Sequence, residues 1–413
     1  MSTTTSDRFD IVISGGSYAG LSLALALTQA LEGIRIAIVD PAPREPDEPL
    51  LDDPRAFSLS ASSRRLLEAI GIWPMIADAA QPVARIEVTD SELDAGIRPT
   101  LLTYSNEIED GSAASFIVMG APLRGALDAV ARETPEITFI TATATGYEAG
   151  AHDACVKLAG GGSVRGSLVV AAEGRRSTLR EAAGIKLVTW DYDQTGIVVT
   201  IAHERPHEGR AVQHFLPSGP FAILPLPGNR SCITWSETTG EARRILALDD
   251  AAFLREVDKR FGGMLGSLSL AGPRASWPLS MHLARNYVAP RLALIGDTAH
   301  GVHPIAGQGL NLGLRDVAAL AQVIAEAMRV GLEPGNAETL RQYERWRRFD
   351  STVSTLAFDG LNRLFSNDWT LVRAARDVGL GVVDRLPFVK RMLVSEAAGV
   401  TGDVPRLLRG EPL

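Results

Sequence analysis

At 413 residues the chain is too long for one simple core, so two or three structural regions are expected. Hydrophobic content of 46% with 22% charged residues excludes a disordered chain, and a net charge of −8 excludes nucleic acid as a main partner. Cys155 and Cys232 give no disulfide framework or zinc set, and no leader or apolar run of about 18 residues marks secretion or a membrane span.

Residues 9–14 (FDIVIS) are an apolar, β-branched run, the pattern of a buried parallel strand. The run leads into Gly15, Gly16, Ser17, Tyr18, Ala19 and Gly20. An Ala- and Leu-rich helix over 21–31 follows, then a second strand over 34–39 that ends in Asp40. In this order, backbone N–H groups and the positive helix end face a pyrophosphate across a glycine turn. Asp40 has the place of the acid that accepts hydrogen bonds from a ribose. Ser17 stands where G-x-G-x-x-G has its second glycine. Its Cβ is expected to push the pyrophosphate outward, with the hydroxyl placed to donate to a phosphate. The unit signals a nucleotide without naming it.

Strand-length apolar or alternating runs recur at 86–91, 196–201, 211–215, 221–225 and 232–236, and 249–261 reads as a helix. Pro217, Gly219-Pro220 and Pro227-Gly228 punctuate them as turns. They predict a mainly β substrate region at 76–98 and 181–285. The nucleotide domain is then split over 1–75, 99–180 and 286–340, with a helical region at 341–413. Gly160, Gly161, Gly162 and Ser163 lie between CVKLA and VRGSLVV and read as a hairpin turn. No second glycine-turn nucleotide unit is seen, so a second dinucleotide would bind transiently at a shared surface.

The segment 291–316, RLALIGDTAHGVHPIAGQGLNLGLRD, holds a strand over 292–295 that ends in Gly296-Asp297. A loop with Pro304, Gly307 and Gly309 follows, then a helix from Leu310. Asp297 at the strand end suits a polyol hydroxyl. The helix N-terminus near Gly309, Leu310 and Asn311 directs unpaired N–H groups and positive dipole at what lies before it. A reduced flavin, negative around N1 and its C2 carbonyl, fits that end.

This segment resembles the GD motif of the FAD-dependent aromatic hydroxylases. The resemblance implies an α/β fold: a Rossmann-like FAD-binding domain of the p-hydroxybenzoate-hydroxylase type, a mainly β substrate domain and a C-terminal helical region. It implies that Asp297 contacts the ribityl chain and that Pro304 through Asn311 wrap the isoalloxazine ring. Residues 168–180, LVVAAEGRRSTLR, look like the DG motif, with Glu173-Gly174 where Asp-Gly is usual. Arg124, in PLRGAL, matches an arginine used against the FAD. Arg55, in DDPRAFSLS, matches one beside the flavin, so Arg55 and Pro304 are the residues expected at the reacting centre.

The tail narrows the resemblance. YERWRRFD from 343, DGLNRLFSND at 359–368 and RDVGLGVVDRLPFVKRML from 376 look like the ubiquinone-biosynthesis hydroxylases, over essentially the whole chain. The resemblance implies reduction of FAD by NAD(P)H as a transient co-substrate and reaction with O2 to a flavin C4a-hydroperoxide. One oxygen atom then passes to the ring of a polyprenylated phenol. Three alternatives stay open: a hydroxylase of a small soluble aromatic, a flavin dehydrogenase, and a non-catalytic relative suggested by Ser17 and Glu173. A soluble acid would require an arginine in the substrate region, with Arg210 and Arg230 the candidates.

No metal is expected: His300 and His303 lack a carboxylate or cysteine to complete a set and read as loop and flavin-pocket residues. His214 or His282 could share a phenol proton, although both read first as satisfied or exposed histidines. Residues 341–413 carry 12 Lys and Arg against 9 Asp and Glu, a tail of +3 on a body of −11. On charge alone this is a helical cap with solvated side chains. With a bilayer-resident substrate, 369–400 becomes a candidate surface for an anionic membrane or for partner enzymes of ubiquinone biosynthesis. The expected location is cytoplasmic, peripheral at the inner membrane.

Overall fold

The computed structural model describes residues 8–42, 53–90, 93, 100–303, 307–365, 394–395 and 397–413. Two large sheets build the fold. The first has a parallel centre that runs Leu292–Leu294, Ser163–Ala171, Arg8–Ser14, Ile36–Asp40, Ile137–Thr141. Helices pack on it, so Ile11, Val12 and Ile13 are all fully buried, and the strand reads as a continuous apolar run. Strand Ser163–Ala171 also pairs antiparallel with Ala154–Leu158 through the expected glycine hairpin. The turn helix is Tyr18–Ala30, with Ser17 as its N-cap, and it packs against helix Gly309–Arg329.

Among the described residues the second sheet has nine strands, in the order His300–Gly301, Ala275–Ala284, Leu187–His203, Arg230–Thr238, Gly219–Leu226, Arg210–Leu216, Arg85–Asp90, Thr100–Ser105, with Leu268–Leu270 off this path. Period-two alternation divides its faces. Ile197, Val199, Ile201, Phe221 and Trp235 pack into a core with Phe253 and Phe261 of helix Asp250–Phe261, whose N-cap is Asp249. Their neighbours Val198, Ala222 and Thr234 point the other way, into a cavity.

The sheet boundaries differ from the sequence reading. Thr100–Ser105 pairs with Arg85–Asp90 and so extends the substrate sheet past 98. Ala80–Pro82 instead joins a three-stranded sheet with Ser115–Met119 and Ala56–Ser60. Pairing across an intervening loop decides both, and local patterning does not carry it. The C-terminal helix spans Ala337–Phe365 and packs along Gly309–Arg329. Most of 369–400, and part of the 359–368 block, lie outside the described residues. Among the described residues no helix is long and apolar enough to cross a membrane.

Candidate active site

A cavity of about 880 Å³ lies between the two sheets, at the C-terminal ends of the parallel strands, where open α/β sheets bind ligands. Ser14, Gly15, Ser17 and Asp40 line one part, Glu173 and Gly174 another, and Gly296, Asp297, Gly307, Gly309 and Leu310 a third. The chain thus brings three sequence-distant turns to one space. Gly16, Gly20, Arg124 and Asn311 are not in the lining, and Pro304 lies outside the described residues.

Two glycines of the first turn are required by space. Gly15 has φ +107, and a Cβ there would stand 2.3 Å from the carbonyl oxygen of Ala172. A Cβ on Gly20 would stand 2.0 Å from the carbonyl oxygen of Gly15, so Gly20 lets the helix sit on the turn. Asp40 holds the turn's shape: its carboxylate accepts from the Gly16 N–H at 2.7 Å and the Ala42 N–H at 2.9 Å. Its oxygens keep lone pairs toward the cavity. The Ser17 side chain makes no cap hydrogen bond with its helix.

Glu173 is used internally. Its carboxylate accepts from the Ser14 hydroxyl at 2.9 Å, the Leu179 N–H at 3.0 Å and the Ser177 hydroxyl. Its extra methylene reaches the start of helix Thr178–Ala182, where Ser177 is the N-cap. Asp297 is the opposite case. It is exposed to the cavity, and its carboxylate makes no hydrogen bond among the described residues.

Arg55 lines the cavity clamped by an acid that sequence reasoning missed. Its Nε donates to Asp53 at 2.9 Å, and its guanidinium sits 5.4 Å from the centre of the Phe57 ring. The Tyr18 hydroxyl donates to the same carboxylate at 3.1 Å, and burial, with the Asp53 charge, raises the Tyr18 pKa. Arg124 instead pairs along its own helix with Asp128 at 2.6 Å. The Asn311 side chain turns from the cavity: its amide donates to the Ser58 carbonyl at 2.7 Å, and its oxygen accepts from the Ser60 N–H at 3.0 Å. It fixes the helix start to strand Ala56–Ser60.

The histidines correct the sequence reading. Neither His300 nor His303 lines the cavity. His300 opens a strand whose next residue, Gly301, does, so alternation turns His300 inward to Asp316 at 2.6 Å. His282 lines the cavity, but its Nε2 donates to the Asp297 carbonyl at 2.7 Å and its Nδ1 accepts from Arg175 at 3.4 Å. Both nitrogens are engaged, Nε2 with the Asp297 turn and Nδ1 with Arg175, and burial pushes its pKa down. His214 is buried against Thr89 at 2.6 Å, away from the cavity.

His303 is 1% exposed, and among the described residues neither ring nitrogen meets a hydrogen-bond partner. Burial pushes its pKa from 6.5 down to about 4. The unfolded chain therefore binds more protons between those values, and stability is lost as pH falls through that window. At pH 5 the loss is expected to be about 2 kcal/mol. Urea unfolding at pH 7.5 and pH 5 checks this; His303→Phe should remove most of the difference.

The substrate-sheet wall is mostly apolar, with Ile86, Val88, Val198, Ala211, Phe215 and Leu224 in the lining beside the polar Gln213, Thr234 and Ser280. Neither Arg210 nor Arg230 is among the lining residues, and Arg210 lies 3.7 Å from Glu87. The lining arginines are Arg55, Arg175 and Arg176, all from the nucleotide side.

The turn and the donor set fit FAD. Gly15 lets the turn close against the Ala172 backbone at the cavity edge, Asp297 offers a carboxylate with no hydrogen-bond partner among the described residues, and two helices begin at the cavity.

Residues 8–352 match the FAD binding domain family. The chain is 41% identical over 411 residues to the ubiquinone hydroxylase UbiL of Rhodospirillum rubrum, covering 98% of this chain and 93% of that protein. It is 31% identical over 408 residues to the 3-demethoxyubiquinol 3-hydroxylase of Escherichia coli, covering 96% and 100%. The structure of HpxO from Klebsiella pneumoniae, solved with FAD and uric acid, superposes with a TM-score of 0.74 at 18% identity over the full length of both chains, which shows the shared fold. The protein is an FAD-dependent monooxygenase that belongs to the ubiquinone-hydroxylase family.

Proposed function

We propose that this enzyme hydroxylates the ring of a polyprenylated phenol in ubiquinone biosynthesis. The observation that carries the reading is the cavity wall: mostly apolar on the substrate side, with no arginine from that sheet among the described lining residues to meet a carboxylate. A small aromatic acid would lose its charge–charge anchor there, whereas a prenylated ring gains from apolar burial. FAD, when bound, accepts reducing equivalents from NAD(P)H and activates O2.

The residues contribute binding and shape. Ser17 and the start of helix Tyr18–Ala30 face the pyrophosphate, Asp40 the ribose, and Asp297 the ribityl chain. Gly307, Gly309 and Leu310 border the ring, and the apolar wall keeps water from the reacting face. Arg55, held by Asp53, is oriented beside the ring. Asp297→Ala is expected to weaken FAD binding about tenfold, because a contact worth ~1–3 kcal/mol is removed. Fluorescence titration of the deflavinated protein measures it.

Oxygen uptake tests the substrate class. Uptake with NAD(P)H should rise severalfold on adding a short-chain prenylated phenol and stay near background with p-hydroxybenzoate. The reverse pattern would reject the reading.

A contact with an anionic membrane is part of the same proposal. On helix Ala337–Phe365, Phe349, Val353 and Leu356 are exposed and recur at the spacing of one helix face. Arg341, Arg345 and Arg348 are exposed beside them. Phe349→Ser with Leu356→Ser should reduce co-flotation with anionic vesicles; flotation equal to the parent protein would reject that surface.

A further inference from the structure

The turn that carries Asp297 rests on the carboxylate of Asp316, the last residue of the 291–316 segment, to which the sequence reading gave no role. Asp316, on helix Gly309–Arg329, is 0% exposed. Its Oδ2 accepts from the Gly296 N–H at 2.9 Å and from His300 Nε2 at 2.6 Å, and its Oδ1 accepts from Arg347 Nε at 2.8 Å.

Gly296 has φ +59, a left-handed conformation that its neighbours must hold. The helix comes close enough to hold it: a Cβ on Gly313 would stand 3.3 Å from the Gly296 Cα. The rest of the turn is fixed as well. His282 donates to the Asp297 carbonyl at 2.7 Å, and Arg180 to the Thr298 carbonyl at 3.2 Å. With the backbone pinned on both sides of its Cα, the Asp297 side chain can reach only a narrow part of the cavity.

Arg347 gives the device its dependence on the C-terminal helix. It is 3% exposed, donates to Ser351 at 3.1 Å and pairs with Asp350. Without it Asp316 would be a buried carboxylate short of one donor, and a proton taken up there would remove an acceptor from the turn.

We propose that Asp316 is a positioning residue for the cofactor: through Gly296 it aims Asp297 at the polyol chain, and Arg347 makes that aim depend on docking of helix Ala337–Phe365. Asp316 does not line the cavity, so it acts through the Gly296–Asp297 turn that does. The inference rests on Asp297 contacting FAD, and its test keeps the two apart.

The experiment is FAD titration of the deflavinated full chain, with the visible spectrum of the bound flavin as second readout. Asp316→Asn keeps the shape but turns one acceptor into a donor that opposes Gly296 or Arg347. It is expected to weaken FAD about tenfold and to alter the spectrum. Arg347→Lys keeps the charge and loses the fork, with about threefold weaker binding expected. Arg260→Met is the control: it breaks a buried pair with Glu237, 3.4 Å apart in the substrate region, and should lower thermal stability without changing FAD affinity.

Unchanged affinity in Asp316→Asn, with Asp297→Ala weakened, would overturn the inference alone. Unchanged affinity in both would overturn the Asp297 contact and the inference with it. Equal losses in Arg260→Met and Asp316→Asn would reduce Asp316 to general stability. If Asp316→Asn does not fold, Arg347→Lys decides, and wild-type affinity and spectrum there overturn the inference.

Discussion

Arg347→Ala is expected to destabilise the folded protein by about 3–5 kcal/mol, because it leaves the Asp316 carboxylate buried without its guanidinium partner. Three groups share that carboxylate: Gly296, His300 and Arg347. Burial alone would raise the Asp316 pKa, but His300 and Arg347 hold it below the usual carboxylate range. The sign follows: its stabilisation is present above the unfolded carboxylate pKa and is lost as pH falls through the lower folded value. Chemical denaturation at neutral pH reads the loss directly. A change under about 1 kcal/mol would mean that the helix Ala337–Phe365 is not coupled to the cofactor turn as described.

Gly15→Val should have an effect of similar size and a different signature. The new Cβ would need a backbone shift at the Ala172 carbonyl, and the residue would keep a φ of +107 that side chains rarely adopt. Overpacking costs about 1–3 kcal/mol, and strain of this kind adds about 1–3 more. Since Gly15 also lines the cavity, the variant is expected to purify colourless with a lowered melting temperature. A yellow protein of normal stability would contradict the close crossing at Ala172.

Much of the fold was legible because it depends on local pattern. The run at 9–14, the glycine turn and Asp40 define a strand–helix–strand unit in any context. Alternation in 196–201 and 232–236 gave both the substrate strands and, in the structure, the split between Ile197 facing the helices and Val198 facing the cavity. What failed was whatever depends on a distant partner. Asn311 has the position of a cofactor contact at a helix start, yet Ser58 and Ser60 take its side chain. Arg124 is a different case: its acid partner lies one helical turn away, at a spacing that the sequence itself carries. His300 and His303 were placed by their loop; strand pairing turns His300 from the cavity, and His303 is buried beside the Tyr192 ring.

The two departures from the expected motifs have unequal outcomes. Glu173 is accounted for by its reach to Ser177 and Leu179, a role that a shorter acid would fill from a different distance. Ser17 lines the cavity as helix N-cap with a side chain that makes no cap bond, so a phosphate oxygen is the partner its place suggests. An acid on an otherwise apolar helix face was the one available signal for Asp316. Among AALAQVIAEAM and its approach, a charged residue one position before a buried run asks for a partner, and Arg347 supplies it.

The central claim is that this flavoprotein places one oxygen atom on the ring of an apolar phenol. Turnover of the purified protein with NAD(P)H, a prenylated phenol and oxygen-18 gas tests it most directly, with the product read by mass spectrometry. The account expects a ring-hydroxylated prenylphenol carrying one labelled oxygen. Consumption of NAD(P)H that yields only hydrogen peroxide, or labelled product from a soluble benzoate alone, would contradict it.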